Sequence, residues 1–342
     1  MNLFDKTINN DDEWGRVFQS PEAFAPLVAH IFRHKGLRLD DGDSAEGCKG
    51  TSLDSDDVIK LKSLTAGTTA TFKLGEYVIK IFPPPHLDYI GTSIDVELFG
   101  MKLATDRGVP SPTLIAHGEI SDKYLFRYII MNYINGRVLS EVQKNLSDDE
   151  KYAIGQKIRK ITSKLNAPLI SNGAPLVNAD NTQAIPTCLA DALQHAKNNE
   201  EWEEEGFPAS FLAERMAYLQ SLSFADNEKA FCHSDLNGDN ILIDDNMDLY
   251  IIDFADGVLA PPQYEESCVV GDLFHFEKPY LDGFYGVGKY RMDAIIDLYV
   301  DWLPIQAWGH YMIGAHFEPS EVGSLAMLRR LFFDKFVSQR LK

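Results

Sequence analysis

A polybasic block is missing from this chain of 342 residues: 51 acidic side chains outnumber 32 basic ones, the net charge is -19, and the lysines and arginines are scattered. Nucleic acid and anionic membranes are therefore not expected as partners, whereas such a field attracts small cations. Long apolar runs are missing too. The most apolar segment, Tyr124 to Ile134, is too short to cross a bilayer and carries Arg127. The opening M-N-L-F-D-K-T-I-N-N-D-D-E has neither the basic region nor the apolar stretch of a secretory signal, so a cytosolic protein is expected. Cysteine is scarce. Cys48, Cys188, Cys232 and Cys268 form no C-x-x-C pair and no cluster of zinc spacing, which predicts reduced thiols. His30 and His34 have the i, i+4 spacing of a zinc helix without its glutamate and are expected to be surface residues of a helix.

What the chain does have is apolar content, 45% of its residues, and a length that calls for two domains or one large bilobal unit. Residues 21–35 predict a helix entered through Ser20-Pro21 and stopped at Gly36. The polar stretch Leu37 to Asp57 follows, with little to bury. From Ile59 to Phe82, period-two patterning broken at Ala66-Gly67-Thr68 and at Gly75-Glu76 predicts three antiparallel strands. Ser93 to Arg107 has helical spacing, with Ser93 as cap and Gly108 past the end. Two more strands are predicted at 112–118 and 124–131. From about Ser140 the pattern is mainly helical, apart from the strand pair Ile241–Ile243 and Leu249–Ile252. The expectation is an α+β fold in three parts: an N-terminal helix and polar linker (1–56), a small antiparallel β lobe with one helix (57–132), and a larger, mainly helical lobe (133–342).

The chemistry concentrates in F-C-H-S-D-L-N-G-D-N, residues 231–240, where His233, Asp235 and Asn240 spell H-x-D-x-x-x-x-N; Asp253 follows in I-I-D-F-A-D-G. Upstream, Lys80 sits in the strand Y-V-I-K-I-F and Glu97 in the next helix. A lysine among apolar strand residues is costly unless it is paired. In this order the segments resemble the protein-kinase-like superfamily. The serine of H-S-D in place of arginine, the lack of A-P-E after Asp253, and Ala66-Gly67-Thr68-Thr69 in place of a full glycine-rich loop make the chain similar to the aminoglycoside phosphotransferase family, over roughly Asp57 to Phe276.

The resemblance implies a bilobal kinase-like fold and transfer of the γ-phosphate of ATP or GTP to a hydroxyl of a small molecule, such as an aminoglycoside or another cationic acceptor. Asp235 would be the catalytic base. Asn240 and Asp253 would hold Mg2+, and Lys80, paired with Glu97, would position the phosphates. Val78, Gly67, Thr68, Thr69 and the hinge residues Asn132 and Ile134 would complete the nucleotide site. A monomer or homodimer is expected. An atypical protein kinase and a nucleotide-binding pseudoenzyme are the alternatives, and each signal alone has a plainer reading: a polar loop, a snorkelling lysine, a hairpin turn at Gly67-Thr68-Thr69, a loop-bracing His233. The run N-E-E-W-E-E-E-G, Asn199 to Gly206, is first of all a solvated helix end. Its second reading is a collector of polycations, with Trp202 as an aromatic face.

Overall fold

The computed structural model describes residues 3–38, 59–64, 67–87, 93–171, 174–175, 199–222, 230–306 and 308–337. Most of the linker expected up to Asp57, Ala66, Cys48 and Cys188 lie outside the described residues. The chain divides into two compact units. The first comprises 1–105, 110–136 and 250–256; the second comprises 106–109, 137–249 and 257–342.

The first unit is built on a five-stranded antiparallel sheet, β1 (Lys62–Ser63), β2 (Ala70–Leu74), β3 (Tyr77–Ile81), β4 (Leu114–Ser121) and β5 (Leu125–Asn132), in the order β1-β2-β3-β5-β4. Its central strand β3 pairs Lys80 with Thr71 on one side and with Ile129 on the other. Two helices precede the sheet, α1 (Asp11–Val17) and α2 (Pro21–Lys35). The second begins and ends as its sequence predicts. The Ser20 hydroxyl accepts from the Ala23 amide, Pro21 occupies the first turn, and Gly36 closes the helix at φ 63, in the left-handed region glycine favours. Both helices share one apolar core with the sheet, in which Phe4, Trp14, Phe24, Phe72 and Phe126 are fully buried. Helix α3 (Ile94–Arg107) starts at Ser93, whose hydroxyl accepts from the Val96 amide at 3.3 Å.

The second unit is mainly helical. After the short strand β6 (Arg137–Val138) come α4 (Leu139–Gln143) and α5 (Asp148–Leu165), the latter opened by a reciprocal capping box between Ser147 and Glu150. The hairpin β7 (Ile170–Ser171) and β8 (Ala174–Pro175) follows, then α6 (Glu200–Glu204) and α7 (Ala209–Ser221). Strands β9 (Ala230–Cys232) and β10 (Ile241–Ile243) flank the polar segment His233 to Asn240. β10 pairs antiparallel with β6, and the turn Asp244–Asp248 leads into β11 (Leu249–Ile251), where the chain passes back to the first unit. Strand β12 (Val258–Ala260) pairs with β9, and α8 (Pro262–Cys268), α9 (Lys278–Tyr285), α10 (Met292–Trp302), α11 (Gly309–Gly314) and α12 (Leu325–Phe336) complete the unit.

Helices α5 and α9 cross closely because each has a glycine at the contact. A Cβ on Gly155 would stand 2.2 Å from the Tyr280 carbonyl oxygen, and one on Gly283 2.0 Å from that of Tyr152. No helix among the described residues is long and apolar enough to cross a membrane. Cys232 and Cys268 are free and buried.

Candidate active site

In the first unit the apolar strand β3 carries one charged side chain. Lys80 is 4% exposed, and its Nζ lies 3.2 Å from Glu97 Oε2 and 2.6 Å from Asp253 Oδ1. Glu97 is itself 2% exposed on α3. Burial pulls the Lys80 pKa down, but the two carboxylates outweigh it and the net shift is upward, so the ammonium stays charged. Burial pushes Glu97 up in spite of Lys80.

Asp253 is delivered by backbone geometry. The Ile251 amide donates to the Pro110 carbonyl (2.9 Å), and two residues later Asp253 adopts φ 63, a conformation that costs a non-glycine residue energy and recurs at functional turns. The neighbouring Phe254 is fully buried against α3, where a Cβ on Gly100 would come within 2.5 Å of the Phe254 Cβ. Glycine at 100 thus lets the D-F pair seat against the helix that bears Glu97.

The remaining nucleotide-site candidates lie in the same unit. Val78 is buried on β3, opposite Met131. Gly67, Thr68 and Thr69 form the turn that enters β2; Thr69 is buried, and its hydroxyl lies 3.3 Å from that of Thr71. At the end of β5 the Asn132 amide donates to the Thr113 carbonyl (3.2 Å), and the Ile134 carbonyl accepts from the Gly136 amide (3.0 Å). Those two backbone groups are engaged within the protein, a point that bears on the expected hinge contacts.

In the second unit the segment after β9 folds tightly around Asp235. Ser234 takes φ 65, the second left-handed non-glycine residue at a motif position. Both Asp235 oxygens accept amide protons: Asn237 Nδ2 donates to Oδ1 (2.7 Å) and Asn240 Nδ2 to Oδ2 (2.7 Å), while Asn240 Nδ2 also reaches the Asp235 carbonyl (2.8 Å). With its N–H side thus used, Asn240 has its oxygen left as a donor to a cation.

Three residues escape a sequence reading here. Asn237 orients Asp235, and its own oxygen caps the short 3-10 turn Gly238–Asn240 by accepting from the Asp239 amide. Glu265, at 0% exposure, accepts the His233 amide and also hydrogen-bonds the Ser234 amide and the Asn166 side chain. Burial pushes its carboxyl up to about 7. Asp272, which accepts from the Tyr299 hydroxyl at 2.8 Å, is likewise pushed up to about 7 by burial and by the charge of Asp235. Glu265 stands in Y-E-E-S-C, where the sequence does not mark which glutamate turns inward.

One expectation is overturned. Trp202 offers no aromatic face to a ligand: it is 2% exposed, packed on Phe207, Phe211 and His310, with the Arg215 guanidinium 4.2 Å over its ring. Burial favours the large ring and hydration favours the carboxylates, so α6 turns Trp202 inward and leaves Glu200, Glu201, Glu203, Glu204 and Glu205 exposed. His30 is half-buried and His34 exposed on α2, their rings 4.9 Å apart. Among the described residues no group of three or more His, Cys, Asp or Glu side chains is arranged to hold a metal.

The phosphotransferase enzyme family matches the sequence over residues 60–287, more than half of the chain and inclusive of every motif above. The chain belongs to that family. Its fold is the protein-kinase-like one of aminoglycoside phosphotransferases. The streptomycin-ATP-APH(2")-IIa ternary complex superposes with a TM-score of 0.53 at 19% identity, over 79% of this chain and 93% of that one. The GDP complex of aminoglycoside 2'-phosphotransferase-IIIa gives 0.52 at 16% identity, over 82% and 95%. The GDP and kanamycin complex of APH(2")-IIIa gives 0.52 at 18%, over 81% and 93%. No curated protein matches the chain significantly.

Proposed function

We propose that the protein transfers the γ-phosphate of ATP or GTP to a hydroxyl of a small molecule. The observation that carries this reading is the buried Lys80 held by both Glu97 and Asp253. An ammonium in an apolar strand, flanked by two acids of which one is partly exposed, is costly as a structural device and well suited to gripping phosphates. The solved relatives hold ATP or GDP, and the fold likeness supports the same ligand class here.

Asp235 would orient the acceptor hydroxyl and take its proton as the oxygen bonds to phosphorus and the bridging bond to the nucleoside diphosphate breaks. Its two asparagine donors hold the carboxylate in one rotamer for that task. Asp253 and Asn240 would hold magnesium. A carboxylate and an amide oxygen are the hard donors that ion takes, and on a nucleotide it needs only one or two of them from protein. Bound there, magnesium would neutralise charge on the phosphates. Gly67, Thr68 and Thr69 would lie along the phosphates and Val78 on the base.

The acceptor is proposed to be a cationic, hydroxylated small molecule. The net charge of -19 favours collecting cations, and the names of the relatives' complexes include streptomycin and kanamycin. Incubation with Mg2+ and ATP or GTP against a panel of hydroxylated metabolites and antibiotics, with products identified by mass, tests this. Asp235→Asn should lower kcat by about 10²-fold or more while nucleotide affinity stays within about twofold. Near-normal turnover in that variant would overturn the role of Asp235. Labelling of polypeptides alone would make the protein an atypical protein kinase, and nucleotide binding with no transfer a pseudoenzyme.

A further inference from the structure

The element that precedes the family's segment is strapped to the sheet by a series of directed bonds. The Leu3 and Phe4 amides both donate to the Asp122 carboxylate (2.9 Å each), the Ile8 amide donates to the Tyr124 hydroxyl (2.8 Å), and His86 Nε2 lies 2.9 Å from the Ile8 carbonyl. Helix α1 then presents Trp14, a fully buried residue whose indole N–H donates to the Thr68 carbonyl at 2.8 Å. Its ring stacks on Phe18 and meets Phe24 edge-on, and Phe24 in turn packs on Phe72 of β2, the strand entered from that turn.

A buried indole needs an acceptor for its one polar atom, but packing alone does not dictate that the acceptor be a turn carbonyl 54 residues away. The consequence lies in the peptide plane. The Thr68 carbonyl and the Thr69 N–H belong to one trans peptide unit and point in opposite directions. Fixing the carbonyl toward Trp14 therefore fixes the Thr69 N–H toward the other side of the turn. Backbone N–H groups held in one orientation are what an anion-binding turn requires.

We propose that Leu3–Val17 is a positioning element for nucleotide binding, acting through the Trp14 indole on the Thr68-Thr69 peptide. This rests on the reading of Gly67–Thr69 as the phosphate turn. Residues before 60 lie outside the segment matched by the family, so the device belongs to this chain's own N-terminal portion.

Trp14→Phe tests it by keeping an aromatic ring and removing the donor. The smaller ring leaves part of a fully buried site empty, so the melting temperature should fall modestly whether or not the indole acts on the turn, and the KM carries the test. The KM for ATP should rise about 3- to 10-fold with kcat within about twofold, the scale of one neutral hydrogen bond. A lowered melting temperature with unchanged KM would mean that Trp14 only packs, and would overturn the proposal. Lys80→Ala, assayed for nucleotide binding beside it, separates the two readings. If Lys80→Ala loses binding while Trp14→Phe binds normally, the role of Trp14 fails and the nucleotide site stands; if neither variant changes binding, the nucleotide reading of the whole unit fails. In the unmodified protein, the indole N–H resonance of Trp14 should move on adding ATP and Mg2+. A resonance that stays in place counts against the coupling whatever the variants do.

Discussion

The two units manage acidic side chains by different means. In the first, Glu97 and Asp253 share the cation Lys80, so charge is balanced by charge. In the second, Asp235 is held by two asparagine amides, and Glu265 and Asp272 rest on backbone amides, Asn166 and a tyrosine hydroxyl. The ion pair keeps the Lys80 ammonium charged, although burial still pushes Glu97 up beside it. Neutral donors fix orientation but leave buried carboxyls titratable, and both Glu265 and Asp272 are pushed up to about 7. The first arrangement keeps a cation charged in an apolar strand, and the second fixes the orientation of its carboxylates through directed neutral donors.

The comparison breaks most visibly at Lys80. Lys80→Ala leaves Glu97, at 2% exposure, without its counter-ion, and stability should fall by about 3–5 kcal/mol in denaturant titrations, together with turnover. The double variant Lys80→Met, Glu97→Leu removes the buried charges in pairs and should recover much of that stability without recovering activity. If the double variant is as unstable as the single one, the uncompensated charge is not the cause.

The next effect is smaller and belongs to the second unit. A carboxyl whose folded pKa is raised from its ordinary 4.5 to about 7 keeps its proton in the folded state longer than in the unfolded one. Its contribution to stability is fully present below about pH 4.5 and is lost as pH rises through about 7. Glu265→Gln should flatten that decline relative to the unaltered protein, with Asp272 left to account for a residual slope of the same sign. Parallel pH–stability curves for the two proteins would show that Glu265 is ionised throughout.

How much of this was legible in the sequence depends on how local the causes are. Helix α2 was legible to the residue because its cap, its Pro21 and its Gly36 stop are adjacent in the chain. The Lys80–Glu97 pair was legible through the family resemblance, which sets a strand lysine against a glutamate of the next helix, and the cost of an unpaired strand lysine points the same way. Helix α1 was missed although its Asn10 cap and acidic first turn are local signals, because seven residues give too few turns for an apolar stripe to register. Strands β9 and β12 were not legible, since they pair with each other across a long intervening segment. Glu265 and Asn237 escaped because their roles come from what they face after folding. At the hinge, the Asn132 amide pairs with the Thr113 carbonyl, a contact that likewise appears only once the strands are folded.

The acidic run on α6 sharpens the comparison at its weakest end, since its glutamates are exposed. Glu203, Glu204 and Glu205 face water around an inward-turned Trp202, and charges so placed contribute little to stability. Replacing the three with glutamine should shift stability by less than about 0.5 kcal/mol and leave the KM of a cationic acceptor unchanged at moderate salt, where surface fields are screened. Trp202→Ala, one residue away, should by contrast cost about 3–5 kcal/mol, because it empties a site lined by Phe207, Phe211 and Arg215. An acceptor KM that rises several-fold in the triple variant, and whose salt dependence flattens with it, would restore the run as an electrostatic collector acting through its carboxylates alone.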